Sequence, residues 1–371
     1  MSKRKQKTQQ RNPESAAEPK KIAAPTTASK RKAKVYKPTN AMALRTRMIG
    51  VAVLIVVLIG GGSVLVNHTN TQNDQKNMTM TSMAYVVGTT QNCAGSSPFA
   101  SAVGFPRGVL DTRANFVKGL ALRELDASGN ILRTYQHPSW SQAGYLGSFQ
   151  RDAAGNIFVI PTPYINILDN PPKKANIVYR IDRNTGEMVP LANLPVLAPA
   201  TPENVYGLLG LTYDCETRSL YVSSVFGSTF TNVAGCIFQL DPNTGEVRSS
   251  FEYVDAFGIG VFNSVSGKRL YFGLARTPDV YSVSLDASGK FGKDVRPEFS
   301  IAEAGGSFDE RAKSITFQGS NQLIVKIMPF DFNLTATNQA KQIVLSYGYD
   351  SQADKWLLQA AQTLNGTSIN S

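Results

Sequence analysis

Two alternating hairpin patterns constrain this chain more than any other feature of its sequence. One reads IVYRIDRNTGEMV from Ile177, CIFQLDPNTGEV from Cys236, VYSVSLDASGKF from Val280 and LALRELDASGNIL from Leu120. In each copy an alternating strand runs into an aspartate (Asp182, Asp241, Asp286, Asp126), and a glycine (Gly186, Gly245, Gly289, Gly129) follows three or four residues later. The carboxylate accepts from nearby backbone N–H groups, and the glycine takes the positive φ that reverses the chain. The other pattern reads GSFQRDAAGNIFVI from Gly147, GLTYDCETRSLYVSS from Gly210, GIGVFNSVSGKRLYFG from Gly258 and KSITFQGSNQLIVKI from Lys313. A weaker copy of the first pattern, QIVLSYGYDSQADKWLL from Gln342, keeps the strands and lengthens the turn.

The two patterns alternate, so together they give a four-stranded meander of about 45–60 residues, the size of one β-propeller blade. Such a meander cannot bury its apolar positions alone and must stack on its neighbours around an axis. The expected fold is all-β with five blades, or six if residues 84–109 add further strands. Tyr85–Gly88 (YVVG) is the expected strand closing the ring in the last blade.

The run DAAGNIFVI from Asp152, followed by VYRIDRNTGE from Val178, resembles the NHL-type and gluconolactonase/strictosidine-synthase-like β-propellers over Phe116 to Leu358. That resemblance implies an architecture and leaves the activity open, because unrelated functions share the fold. It also implies a divalent cation, Ca²⁺, held at the channel mouth by oxygens at the starts of innermost strands and able to polarise a lactone carbonyl. The residues available for it are Glu203, Asn204, Asp255, Asn263, Glu303 and Asp309.

In a propeller, the connections after the second and fourth strands of each blade gather on one face. The long segments 161–176, 226–235 and 329–341 exceed the two to five residues of an ordinary hairpin, which points to a contact surface. Tyr164, Asn166, Phe226, Phe230, Phe330 and Phe332 are its expected contributors; the rival reading is that these aromatics only pack the loops down. The function read from the sequence is recognition of a protein, peptide or glycan through this face. The alternative is a Ca²⁺-dependent lactonase or hydrolase at the channel mouth, and a third reading is a passive spacer.

The net charge of +11 belongs to the N-terminus: residues 1–47 hold 14 Lys/Arg and 2 Asp/Glu, a net of +12, leaving −1 for the rest. This segment has almost no large apolar residues and is expected to be a disordered basic tail. Residues 48–66 (MIGVAVLIVVLIGGGSVLV) carry no charge and at 1.5 Å per residue span about 29 Å as a helix, enough for a bilayer core. Lys37, Arg45 and Arg47 precede this run, and Lys76 is the only base in the twenty residues after it. The tail is therefore expected in the cytoplasm and the residues beyond 66 outside, in a single-pass cell-membrane protein. Residues 67–83 read as a polar stalk and 84–371 as the propeller domain. The tail's expected partner is anionic lipid headgroups. Nucleic acid is a poor fit, since Tyr36 is its only aromatic residue.

Two His and three Cys leave little for multi-His or multi-Cys metal sites. A Ser-His-Asp triad would have to use His137, which reads instead as a loop histidine. Cys215 falls in the turn between the first two strands of its blade, and Cys236 begins the third. They should lie about 17–20 Å apart and should not pair. Cys93 is free to reach one of them, and an odd thiol remains. Sequons stand at Asn67, Asn77, Asn333 and Asn365.

Overall fold

The structure, a computed structural model, describes residues 86–112, 117–163, 167–333 and 342–364. A short β1 (Gly88–Thr89) comes first. Five antiparallel sheets follow in chain order. The first holds β2 (Val109–Asp111), β3 (Ala121–Leu125) and β4 (Ile131–Tyr135). The second holds β5 (Leu146–Arg151), β6 (Ile157–Pro161), β7 (Ile177–Ile181) and β8 (Met188–Asn193). The third holds β9 (Leu208–Asp214), β10 (Ser219–Ser224), β11 (Cys236–Leu240) and β12 (Val247–Glu252). The fourth holds β13 (Ala256–Ser264), β14 (Gly267–Leu274), β15 (Asp279–Leu285) and β16 (Phe291–Ser300). The fifth holds β17 (Glu310–Gln318), β18 (Gln322–Pro329), β19 (Gln342–Asp350) and β20 (Lys355–Leu364). The architecture is a five-bladed β-propeller, which decides between the five and six blades expected.

Strand position explains the burial. The first strands lie innermost: β13 packs against both β9 and β17, and β9 against β5. Every residue of β9 and β13 is buried, whereas the outermost β12 is largely exposed. In β6 the run Ile157–Ile160 is apolar without alternation because both faces of its sheet are covered. Ile157 and Val159 pack with Leu120, Leu122 and Trp140 of the first blade, while Phe158 and Ile160 pack with Leu211 and Val222 of the third. Tyr221 and Ile237 meet Val261 and Phe272 between the third and fourth blades, and Phe262 and Tyr271 meet Phe317 and Trp356 between the fourth and fifth. Among the described residues, no apolar cluster joins the fifth blade to the first.

The turn aspartates do what their spacing implies. Asp182 Oδ1 accepts from the backbone N–H groups of Asn184 and Thr185 at 2.8 and 2.9 Å, and Asp126 Oδ1 from those of Ser128 and Asn130 at 2.8 Å. Gly186 and Gly129 sit at φ 73° and 83°. The bonds to Thr185 and Asn184 hold the Asp182 carboxyl below its ordinary value. Asn130 does the same for Asp126, and the Ser288 hydroxyl for Asp286. Because the folded value is the lower one, each turn's contribution is present above the ordinary aspartate range and disappears as pH falls through the depressed value. An NMR titration should therefore place all three midpoints below that of an unstructured aspartate, with stability falling as the solution is acidified below about pH 4.

Among the described residues, Val86–Gly88 do not close the last blade. The chain's own β19–β20 hairpin completes the fifth sheet, so no outside strand is needed there, and β1 instead pairs with the inner edge of β13, Gly88 opposite Asn263. Tyr85 lies outside the described residues. From β1 the chain runs as a strap along the turns that join first to second strands. Thr89 N–H donates to Gly319 O, and Cys215 N–H to Thr90 O, both at 2.8 Å. Cys93 is bonded to Cys215 with Cα atoms 5.8 Å apart. Gly95 N–H donates to Asp152 O, and Ser97 Oγ to Gly155 O. Gly155 must be glycine: its φ is +95°, and a Cβ would lie 1.8 Å from Ser96 O.

Cys236 stands opposite Ser224 at the far end of β10 from Cys215, so the two do not pair, as expected. Its thiol is free and buried, and burial pushes it up to about 12. Among the described residues no helix is long and apolar enough to cross a membrane. Residues 1–47, 48–66 and 67–83, the expected tail, span and stalk, lie outside the described residues.

Candidate binding face

Strand direction sorts the connections onto two faces. The first-to-second-strand turns and the strap share one. The connections leaving β6, β10 and β18, and those entering β9, β13 and β17, share the other, here called the loop face.

At the loop face of the third, fourth and fifth blades, Tyr206, Leu209, Val225, Phe257, Ala275, Phe330 and Phe332 form one cluster. Phe330 lies 4.7 Å from the ring of Phe257, 5.0 Å from Tyr206 and 5.3 Å from Phe332. Phe230 stands edge-on to Phe332 at 6.0 Å. Such offset and edge-on pairs add about 0.5–1.5 kcal/mol each beyond buried area. The cluster also explains how a loop-bound aromatic is fixed: Phe330 and Phe332 are buried at 5% and 3% exposure, while Phe230 remains 55% exposed above them.

A polar clasp holds the Phe230 loop. Arg276 leaves the end of β14 and ion-pairs with Asp255, which is buried. Its remaining N–H groups donate to the carbonyls of Thr229, Phe230 and Asn232, and its guanidinium lies 5.3 Å from the Phe332 ring centre. The other oxygen of Asp255 accepts from Ser228 Oγ and from Gly235 N–H. One carboxylate and one guanidinium thus fix both ends and the tip of the 226–235 loop. Arg311, also buried, donates to the carbonyls of Ala275 and Arg276, with burial lowering its pKa from the ordinary arginine value.

The residues expected to hold a cation do not converge. Asp255 has both oxygens engaged as described. Asn204 donates to Val225 O at 2.7 Å and accepts from Tyr206 N–H at 2.8 Å, which makes it a cap for the strand entry. Glu203, Glu303 and Asp309 are exposed. Asn263 sits near the opposite end of β13 from Asp255, about 26 Å away at 3.3 Å per residue, and donates to Glu216 and to Val86 O. No group of three or more His, Cys, Asp or Glu among the described residues is placed to hold a metal. The donor set therefore does not fit Ca²⁺ at this mouth: the side-chain oxygens of Asp255 and Asn204 have protein partners, Glu203, Glu303 and Asp309 are exposed, and Asn263 lies toward the other end of its strand. His137 Nδ1 lies 2.8 Å from Ser139 Oγ, and that hydroxyl accepts from Met188 N–H; the pair ties down a turn.

Of the residues expected at the contact surface, Phe230 is exposed and Phe226 half-buried. Phe330 and Phe332 are foundation for the surface, because three blades converge on them. Tyr164 and Asn166 lie outside the described residues. Sequence reading missed the exposed Ile167, Leu168, Val196, Leu197, Tyr253 and Phe308, all in loop-face connections. The available signal was large apolar residues in segments with no strand alternation.

No protein-family model matches the chain, and no curated protein matches it. Solved structures give a distant likeness. An exo-β-1,3-galactanase from Phanerochaete chrysosporium is similar at 11% identity and a TM-score of 0.39, over 67% of this chain and 58% of that one. The periplasmic gluconolactonase of Pseudomonas aeruginosa is similar at 15% identity and 0.30, over 52% and 65%. A protein of unknown function from Bacteroides caccae is similar at 13% and 0.35, over 69% and 72%. The chain spans less than two thirds of the galactanase's length.

Proposed function

We propose that this protein is a membrane-anchored, extracytoplasmic propeller that recognises a protein, peptide or glycan through its loop face. The observation that carries the reading is the distribution of exposed large apolar side chains. Among the connections, Phe230, Phe308, Tyr253, Ile167, Leu168, Val196 and Leu197 stand on the loop face, whereas the turn face offers Val265 and Val86; the other exposed large apolar residues, Leu132, Leu357 and Leu358 among them, lie on strands, mostly the outermost of their blades. Exposed aromatic and aliphatic residues grouped on one face are the usual mark of a contact surface. The clasp beneath Phe230 adds preorganisation, so little freedom would be lost on binding.

The anchor is the 48–66 run, with the basic 1–47 tail against anionic headgroups on the cytoplasmic side. The Cys93–Cys215 bond supports an oxidising location for the propeller.

A photo-reactive benzophenone amino acid placed at position 230 or 308 of the full chain in its native cells should cross-link a specific partner, and the same probe at 218 or 265 on the turn face should not. Cross-links from 218 and 265 alone would overturn the assignment. Once the partner is in hand, Phe230→Ala and Phe308→Ala should each weaken binding by about 1–2 kcal/mol, read by titration calorimetry.

A further inference from the structure

The turn face has a separate feature. The first sheet has three strands where the others have at least four. Its β3–β4 hairpin carries the LDASG turn that also joins the third and fourth strands of the fourth blade. By position β2 is therefore a second strand, and among the described residues the innermost place beside it has no strand. Next to β2, between the first two blades and the strap, lies a cleft of about 390 Å³.

Arg151, the last residue of β5, lines this cleft and is half-buried. Gln150 before it donates to Leu211 O of the third blade, so the two-residue alternation turns Arg151 toward the first blade. Arg151 has no hydrogen bond or ion pair among the described residues. The acids nearby are taken: Asp152 accepts from the backbone and side-chain amides of Asn156, and Asp111 pairs with Arg123. No carboxylate lines the cleft. The remaining wall offers the hydroxyls of Ser96 and Ser101 and the apolar surfaces of Pro98, Leu110 and Leu122.

We propose that this cleft binds a small carboxylate. A guanidinium fork matches a carboxylate through two parallel N–H···O bonds, and such charge-assisted bonds are about twice as strong as neutral ones. One unpaired cation balances one negative charge, which favours a monocarboxylate over a phosphate. The hydroxyls suit a polar substituent at the far end, and the leucines and proline suit an apolar middle. The volume lies at the small end of ligand pockets. The site is on the face opposite the proposed recognition surface and is independent of it.

The test is calorimetric titration of the full-length protein with 4-hydroxybenzoate and with hexanoate, each beside its uncharged amide. The acids should bind at least about tenfold more tightly than the amides, and Arg151→Gln should remove that preference. Thermal unfolding of Arg151→Gln should match the parent, because the side chain has no partner to lose. Phe230→Ala should bind the acids unchanged, which separates this site from the loop face. Absence of saturable acid binding up to about 10 mM, or equal binding of acid and amide, or unaltered acid binding by Arg151→Gln, would overturn the proposal.

Discussion

Arg276→Ala should lower the unfolding free energy by about 5 kcal/mol, and Asp255→Ala by about 3 kcal/mol, the two ends of the range for breaking a buried ion pair. The order follows from exposure. Asp255 has a side-chain exposure of 1% and Arg276 of 23%. Removing the arginine leaves a carboxylate with only Ser228 and Gly235 as donors. Removing the aspartate leaves a guanidinium that still bonds three loop carbonyls and reaches solvent. The double variant should cost less than the sum, since each single variant strands the other charge. Urea unfolding monitored by fluorescence checks both values; equal or reversed costs would show that the carboxylate is not the buried member. Asp255→Ala should also free the 226–235 loop, read as faster hydrogen exchange at Gly235 N–H.

Cys93→Ser with Cys215→Ser should cost about 2–4 kcal/mol. The bond spans a sequence separation of 122, so a long loop is free to open in the unfolded chain once it is removed. The strap has few other attachments: a handful of backbone bonds, the two-residue β1, and side-chain bonds at Val86, Gln91 and Ser97. Limited proteolysis of the double variant should therefore cut first within residues 86–97 and leave the five sheets intact. Cutting within a blade first would show that the strap is not the least stable element. Iodoacetamide should leave Cys236 unlabelled in the native protein at pH 8, because burial keeps it in the thiol form, and label it once in urea.

The blades were legible in the sequence because hairpin chemistry is local. Asp182 with Gly186, or Asp126 with Gly129, requires the same turn whatever surrounds it, and two alternating hairpins suffice to set the sheet order. The strap was not legible. Residues 86–97 have no apolar period, and their course is set by single backbone bonds to Gly319, Cys215 and Asp152, each far away in sequence. For the same reason the sequence leaves the partner of Cys93 open. Asp255 shows why the cation reading arises and why the residues present do not fit it. An acid at the entry to an innermost strand has the same sequence appearance as a ligand or as half of an ion pair, and Arg276, about twenty residues on, reads as an ordinary strand-end base. The loop aromatics posed the same difficulty: only the convergence of three blades decides that Phe332 is buried and Phe230 is not.

Diffraction from crystals grown in millimolar CaCl₂ bears most directly on whether this face is a recognition surface or a metal-dependent site. The clasp requires the Asp255 carboxylate to hold Arg276, Ser228 and Gly235 beneath an exposed Phe230, with no cation among them. Density for a calcium ion bound by Asp255 together with Glu203 or Glu303, with Arg276 swung away, would contradict it and favour the hydrolase alternative.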